Sequence, residues 1–123
     1  MLLIDTEDTQ AFILYIEQAL AQLAAGHYAA FLARFDESRL AEEDIILALK
    51  FLDSERPITK IDDPLMVPCA QCEIDLGKMN DGSGYYLDYD LSTGGEMNDL
   101  TLSCEFLQTE GGYRVILSDL HAM

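Results

Sequence analysis

Tyr85-Tyr86-Leu87-Asp88-Tyr89-Asp90-Leu91 is the stretch that decides the fold. Tyr85, Leu87, Tyr89 and Leu91 alternate with Tyr86, Asp88 and Asp90. Successive side chains of a strand point to opposite faces, so this wording gives one apolar face and one largely acidic face. Working outward, Gly94-Gly95 marks a turn, after which Leu100, Leu102, Cys104 and Phe106 alternate with Thr101, Ser103 and Glu105. Gly111-Gly112 marks a further turn, and Tyr113 to Leu120 reads as the last strand. On the other side, Lys78 to Gly84 is a turn rich in Asn, Asp, Gly and Ser, and Val67 to Leu76 reads as the first strand, ending at Gly77. Short turns join antiparallel neighbours, so the expected sheet is a four-stranded antiparallel meander.

Before Pro64 the period changes from two to that of a helix. Phe12, Ile13, Ile16, Leu20 and Leu23 recur at helical spacing. Thr6 is the candidate N-cap, Glu7 and Asp8 stand where the helix dipole favours acids, and Gly26 is the candidate C-terminal cap. A short second helix is predicted over His27 to Arg34, with Phe31 and Leu32 inward. A third begins near Leu40, capped by Ser38 or Asp36, with Ile45, Ile46, Leu49 and Leu52 as its apolar stripe and Pro57 as its limit. Core packing accounts for all three stripes. The fold class is therefore α+β, with two to three N-terminal helices on a curved four-stranded antiparallel sheet, in one domain spanning residues 1–123. No internal repeat, linker or low-complexity segment interrupts it.

Half the residues are apolar, enough for a packed core without disulfide staples. The charge is lopsided, with 23 acids against 7 bases and a formal net charge of -16. Such a field repels nucleic acid and anionic membrane surfaces, and it speeds encounter with cationic proteins. The acidity rises along the chain: residues 1–61 carry 11 acids and 5 bases, residues 62–123 carry 12 acids and 2 bases. From Met79 to Tyr113 there is no Lys or Arg. Solubility alone is the bland account of this charge. No signal peptide or membrane span is expected, because the first residues lack a basic segment and the apolar run Ala11 to Ile16 is short. Three cysteines argue against a secreted disulfide framework, and a reducing cytoplasm is the expected setting.

The motifs that carry chemistry are weak. Cys69-Ala70-Gln71-Cys72 is a C-x-x-C, yet the other zinc-ligand types, Cys104, His27 and His121, are scattered. On a strand, positions i and i+3 face opposite ways, so the two thiols are expected not to converge, and Glu73 and Asp75 would raise a thiol pKa. Structural cysteines are the expectation. Asn80 to Tyr85 resembles the middle of a calcium loop but lacks carboxylates at its first and third places. Asp88-x-Asp90-x-Ser92, with Asp99 at the twelfth place, supplies more oxygen but has Thr93 where the loop needs glycine. Gly82-x-Gly84 has no following Lys and is no phosphate loop. No metal, cofactor or catalytic residue is assigned.

The order of helices and then a curved meander resembles the NTF2-like, cystatin-related α+β cone. Two stretches carry the resemblance: Phe31-Leu32-Ala33-Arg34-Phe35-Asp36, and Tyr113-Arg114-Val115-Ile116-Leu117-Ser118-Asp119-Leu120-His121, similar to the last strand of small bacterial domains of this type. The resemblance implies a scaffold used by isomerases, dehydratases, carrier domains and immunity proteins of bacterial toxin systems, so function must be argued from the site. Three readings follow, the blandest a structural accessory or dimerising subunit, which charge repulsion between two copies of net charge -16 opposes. In the first, the chain is an acidic cytoplasmic immunity protein, a monomer or weak dimer, that occupies the basic cleft of a cationic toxin through Tyr86, Asp88, Asp90, Glu96, Asp99 and Glu105. In the second it is a pocket enzyme or small-ligand binder using Tyr85 or Tyr89, Cys104 and His27, which requires that Phe12, Leu20 and Phe106 leave a cavity between sheet and helices.

Overall fold

A computed structural model describes residues 9–50, 55, 57–69 and 72–122. The period-two wording becomes two long antiparallel hairpins. Strands β2 (Ile74–Lys78), β3 (Gly84–Thr93), β4 (Glu96–Thr109) and β5 (Gly112–Ala122) follow one another as a meander. A fifth strand, β1 (Glu37–Ser38), lies parallel to β5 and pairs Glu37 with Ile116, giving the order β1-β5-β4-β3-β2. The sheet is therefore mixed and five-stranded, where the sequence predicts four antiparallel strands. The extra strand has only two residues, too few to show an alternation.

The helices are α1 (Thr9–Ala24), α2 (Tyr28–Leu32) and α3 (Glu42–Leu49). The predicted caps Thr6, Glu7 and Asp8, and Leu52 of the third stripe, lie outside the described residues. Gly26 does end α1: it takes φ +79°, its N–H donates to the Leu23 carbonyl at 3.0 Å, and the His27 N–H donates to Gln22 at 2.9 Å. Those paired bonds satisfy carbonyls that the last turn would otherwise leave open. Asp36 and Ser38 do not cap α3. Asp36 instead accepts the Val115 N–H at 2.7 Å, and Ser38 bonds the backbone of Leu40. Asp44 reaches back to accept the Ala41 N–H at 2.8 Å, in the place where the dipole favours an acid.

One core joins the helices to the inner sheet face. Phe12, Ile16, Leu20, Phe31 and Ile45 pack with Leu87, Leu102, Phe106, Val115 and Leu117, all fully buried. Phe12 is the pivot, with ring centroids 4.4 Å from Phe106, 5.0 Å from Tyr85 and 4.9 Å from Tyr113. The first strand is displaced from its predicted place: Val67, Pro68, Cys69 and Cys72 lie outside any strand, and β2 begins only at Ile74. Apolar residues there suggest a strand, but Val67, Pro68, Cys69 and Cys72 line a cavity instead. Gly77, the predicted strand end, is inside β2, opposite Tyr86. No described helix is long and apolar enough to cross a membrane.

Candidate functional site

The outer sheet face is built by register. Across four strands one row reads Asp75, Asp88, Ser103 and Asp119. The next reads Asp90, Thr101 and His121, and a third reads Gly77, Tyr86, Glu105, Ile116 and Glu37. Neutral hydroxyls hold the carboxylates in place. Ser103 donates to Asp88 at 2.6 Å and Thr101 to Asp90 at 3.2 Å, while Asp90 also accepts the Glu73 N–H at 3.0 Å. Glu105 accepts from Ser118 at 3.0 Å and pairs with Arg39 at 3.4 Å. Tyr86 is 38% exposed, its ring over Gly77. Asp75 and Asp88 stand directly opposite each other, an arrangement that destabilises a sheet because like charges meet across the strands.

Of the six residues singled out from sequence, four share this face: Tyr86, Asp88, Asp90 and Glu105. Glu96 and Asp99 do not join them. Between Asp90 and Ser92 the β3–β4 register shifts, and Asp99 adopts φ +67°, a left-handed conformation that aspartate tolerates better than most residues. Past the shift Glu96 pairs with Thr93 next to the Gly94-Gly95 turn, and Asp99 falls in the unpaired stretch between Met97 and Leu100. Asp75 and Asp119 belong to the face and were missed. Asp75 lies inside the strand predicted over Val67 to Leu76, but only its pairing with Asp88 puts it on this face.

At one end of the sheet a cavity of about 290 Å³ opens between α1, β3 and the loop before β2. Leu20, Val67, Ile74 and Leu91 supply apolar wall; Glu17, Asp62, Tyr89 and Asp90 supply oxygen. Tyr89 donates to Glu17 at 2.6 Å across 72 positions of sequence. Burial, then the Glu17 bond and charge, push the Tyr89 phenol well above its ordinary value. Asp62 fastens the wall to the Gly94-Gly95 turn: it accepts the Gly95 N–H at 2.7 Å, the Ser92 hydroxyl at 2.8 Å and the Gly94 N–H at 3.0 Å. Those bonds, led by Gly95, hold its carboxyl below its usual range.

Cys69 and Cys72 also line this cavity, joined as a disulfide with their Cα atoms 5.4 Å apart. The expectation that they diverge fails because neither Cys69 nor Cys72 lies in a strand, so the rule of opposite faces does not apply. Cys104 is in the core at 2% exposure, and burial, with Asp88 and Glu105 adding, pushes its thiol far up. His27 is exposed beside Gln22 at 3.3 Å. His121 lies 3.2 Å from Asp119 on the outer face. Tyr85, Cys104 and His27 therefore do not meet, and Phe12, Leu20 and Phe106 fill the space between the helices and the middle of the sheet. The cavity contains only Tyr89 of the predicted pocket groups.

Residues 20–123 match the family described as a domain of unknown function (DUF7668), and the chain belongs to that family. No curated protein and no solved structure matches it.

Proposed function

We propose that this member of the DUF7668 family is a binding protein whose acidic sheet face docks a cationic protein. The observation that carries the reading is the register row Asp75, Asp88, Ser103, Asp119. Three carboxylates share one row, two of them directly opposite, with only neutral Ser103 between Asp88 and Asp119. A fold selected for stability alone gains from a lysine at one of these places. A basic partner supplies the missing positive charge on contact, steers association and makes it sensitive to salt. Tyr86, beside the row, offers an aromatic anchor.

The most concrete form is an immunity protein that covers the phosphate-holding cleft of a toxin in the cytoplasm. The helices-then-meander order supports an NTF2-like scaffold for it. The test uses wild-type chain and the Asp88→Lys/Asp90→Lys variant as baits in lysate of the source organism, at low and high salt. Wild type is expected to capture a basic protein at low salt that the variant loses. With that partner in hand, the variant's association rate at low salt falls several-fold in stopped flow. Equal capture and equal on-rates would remove the face from the reading.

The cavity favours a second reading, a small-ligand site at the end of the sheet rather than beneath it. Shifts confined to Tyr89, Leu91 and Ile74 signals on adding small organic compounds would mark that alternative, since none of the three faces the acidic rows.

A further inference from the structure

The acidic face leaves one piece of chemistry unused. Cys69 and Cys72 are both half-buried and both line the cavity, so a small reagent reaches the bridge from solvent. The bridge joins two residues outside any strand at a sequence separation of 3. Stabilisation by a cross-link grows with the length of chain it closes, so this spacing gives the least, and it ties no two elements together. The elements are joined by the ladders and the Phe12 core instead. A structural staple is thus a poor account of it. The reduced state is accommodated as well: Cys72 Sγ lies 3.6 Å from the Leu91 carbonyl oxygen, an acceptor ready for a thiol proton.

We infer that Cys69 and Cys72 form a reversible dithiol–disulfide site that exchanges with external dithiols, and that its state sets the shape of the cavity it lines. In the forward step a thiolate of the external dithiol attacks one sulfur of the bridge. The S–S bond breaks, the other cysteine leaves as thiolate and takes a proton, and a mixed disulfide forms. The reagent's second thiolate then attacks the mixed disulfide and releases the remaining cysteine, which is protonated. The reagent becomes a cyclic disulfide. Two electrons and two protons pass to the chain, and an external disulfide reverses the sequence. Cys104 takes no part, since it is enclosed in the core.

Charge shapes the exchange. The cavity carries Glu17, Asp62 and Asp90, Glu73 follows Cys72 directly, and the chain's net charge is -16. An anionic thiol is repelled on approach and a cationic one is drawn in. Opening the bridge frees the wall residues Cys69 and Cys72 from one another, and the Asp62 clamp on the same wall relays that change to Gly94 and Gly95.

The full chain, equilibrated with oxidised dithiothreitol, is treated with reduced dithiothreitol, trapped with a maleimide and read by mass spectrometry, with circular dichroism and amide NMR alongside. Two labels are expected, on Cys69 and Cys72, with Cys104 unlabelled and the circular dichroism unchanged. Oxidised dithiothreitol restores the bridge. Tyr89, Gly94 and Gly95 signals are expected to move on reduction, and the Cys69→Ser/Cys72→Ser variant keeps the reduced positions under either reagent. Cysteamine opens the bridge at least several-fold faster than mercaptoacetate at low salt, and the gap closes at high salt. Free thiols that oxidised dithiothreitol leaves unpaired, reduction that unfolds the chain, or reduction without movement of those three signals would each overturn the inference.

Discussion

Asp62 is the residue on which the cavity end of the molecule turns. Its carboxylate answers the N–H groups of Gly94 and Gly95 and the hydroxyl of Ser92, some thirty positions away. The folded carboxyl is held below its ordinary value, so the charged form stabilises the fold above the unfolded titration at about pH 4. That contribution is lost as pH falls through the lowered folded value. Asp62→Asn is therefore expected to cost about 1 kcal/mol at neutral pH and to flatten the decline in stability below about pH 4, measured by urea unfolding across pH. Gly84 has a steric role. A Cβ there would come within 1.9 Å of the Phe106 carbonyl oxygen, which is backbone and cannot step aside. Gly84→Ala is expected to destabilise by about 3 kcal/mol, with β4 amides next to Phe106 shifting most in NMR. The glycine turns were legible in the sequence because turn chemistry is local. The acid that closes one of them was not, since nothing near Asp62 names its distant partner.

The hairpins were legible at the scale of elements for the same reason: alternation is written within each strand. The inner set Leu87, Tyr89, Leu91, Leu100, Leu102, Cys104 and Phe106 is buried as the period predicts. Two things broke the reading elsewhere. The bulge near Asp90 and Ser92 moves Glu96 and Asp99 off the face, and a register shift is a property of two strands rather than one. The predicted first strand starts among prolines, Pro64 just before it and Pro68 within it, and Val67, Pro68, Cys69 and Cys72 take no part in the sheet. Reading a strand there hides the meeting of the two cysteines. Phe12 joins α1 to β3, β4 and β5 by its ring contacts. Phe12→Ala is expected to lose about 4 kcal/mol in denaturant unfolding, near the upper range for an emptied aromatic site. Tyr89→Phe removes the Glu17 bond but keeps the ring, and about 1 kcal/mol is expected by the same measurement.

Across the whole molecule the net charge of -16 repels itself. Salt that screens this repulsion is expected to raise the melting temperature by about 4 °C, roughly 1 kcal/mol, between low and physiological ionic strength, as read by calorimetry. The same salt weakens the proposed cationic association, so stability and binding should move in opposite directions. A melting temperature that falls with added salt would show that local ion pairs such as Arg39–Glu105 outweigh the global field. The helix-then-sheet order was legible at this scale, because the hydrophobic period changes once along the chain. The parallel seam between β1 and β5 was not. Asp36 and Val115 exchange bonds across 79 positions, the Asp36 N–H donating to the Val115 carbonyl and the Asp36 carboxylate accepting the Val115 N–H. That seam has a consequence for the order of folding. Among the described residues the β1 edge has no other strand to pair with than β5, so it forms only once the chain has doubled back over 79 positions. Closing so long a loop costs entropy before its contacts repay it, so the docking of β1 is expected after the local β3–β4 and β4–β5 hairpins.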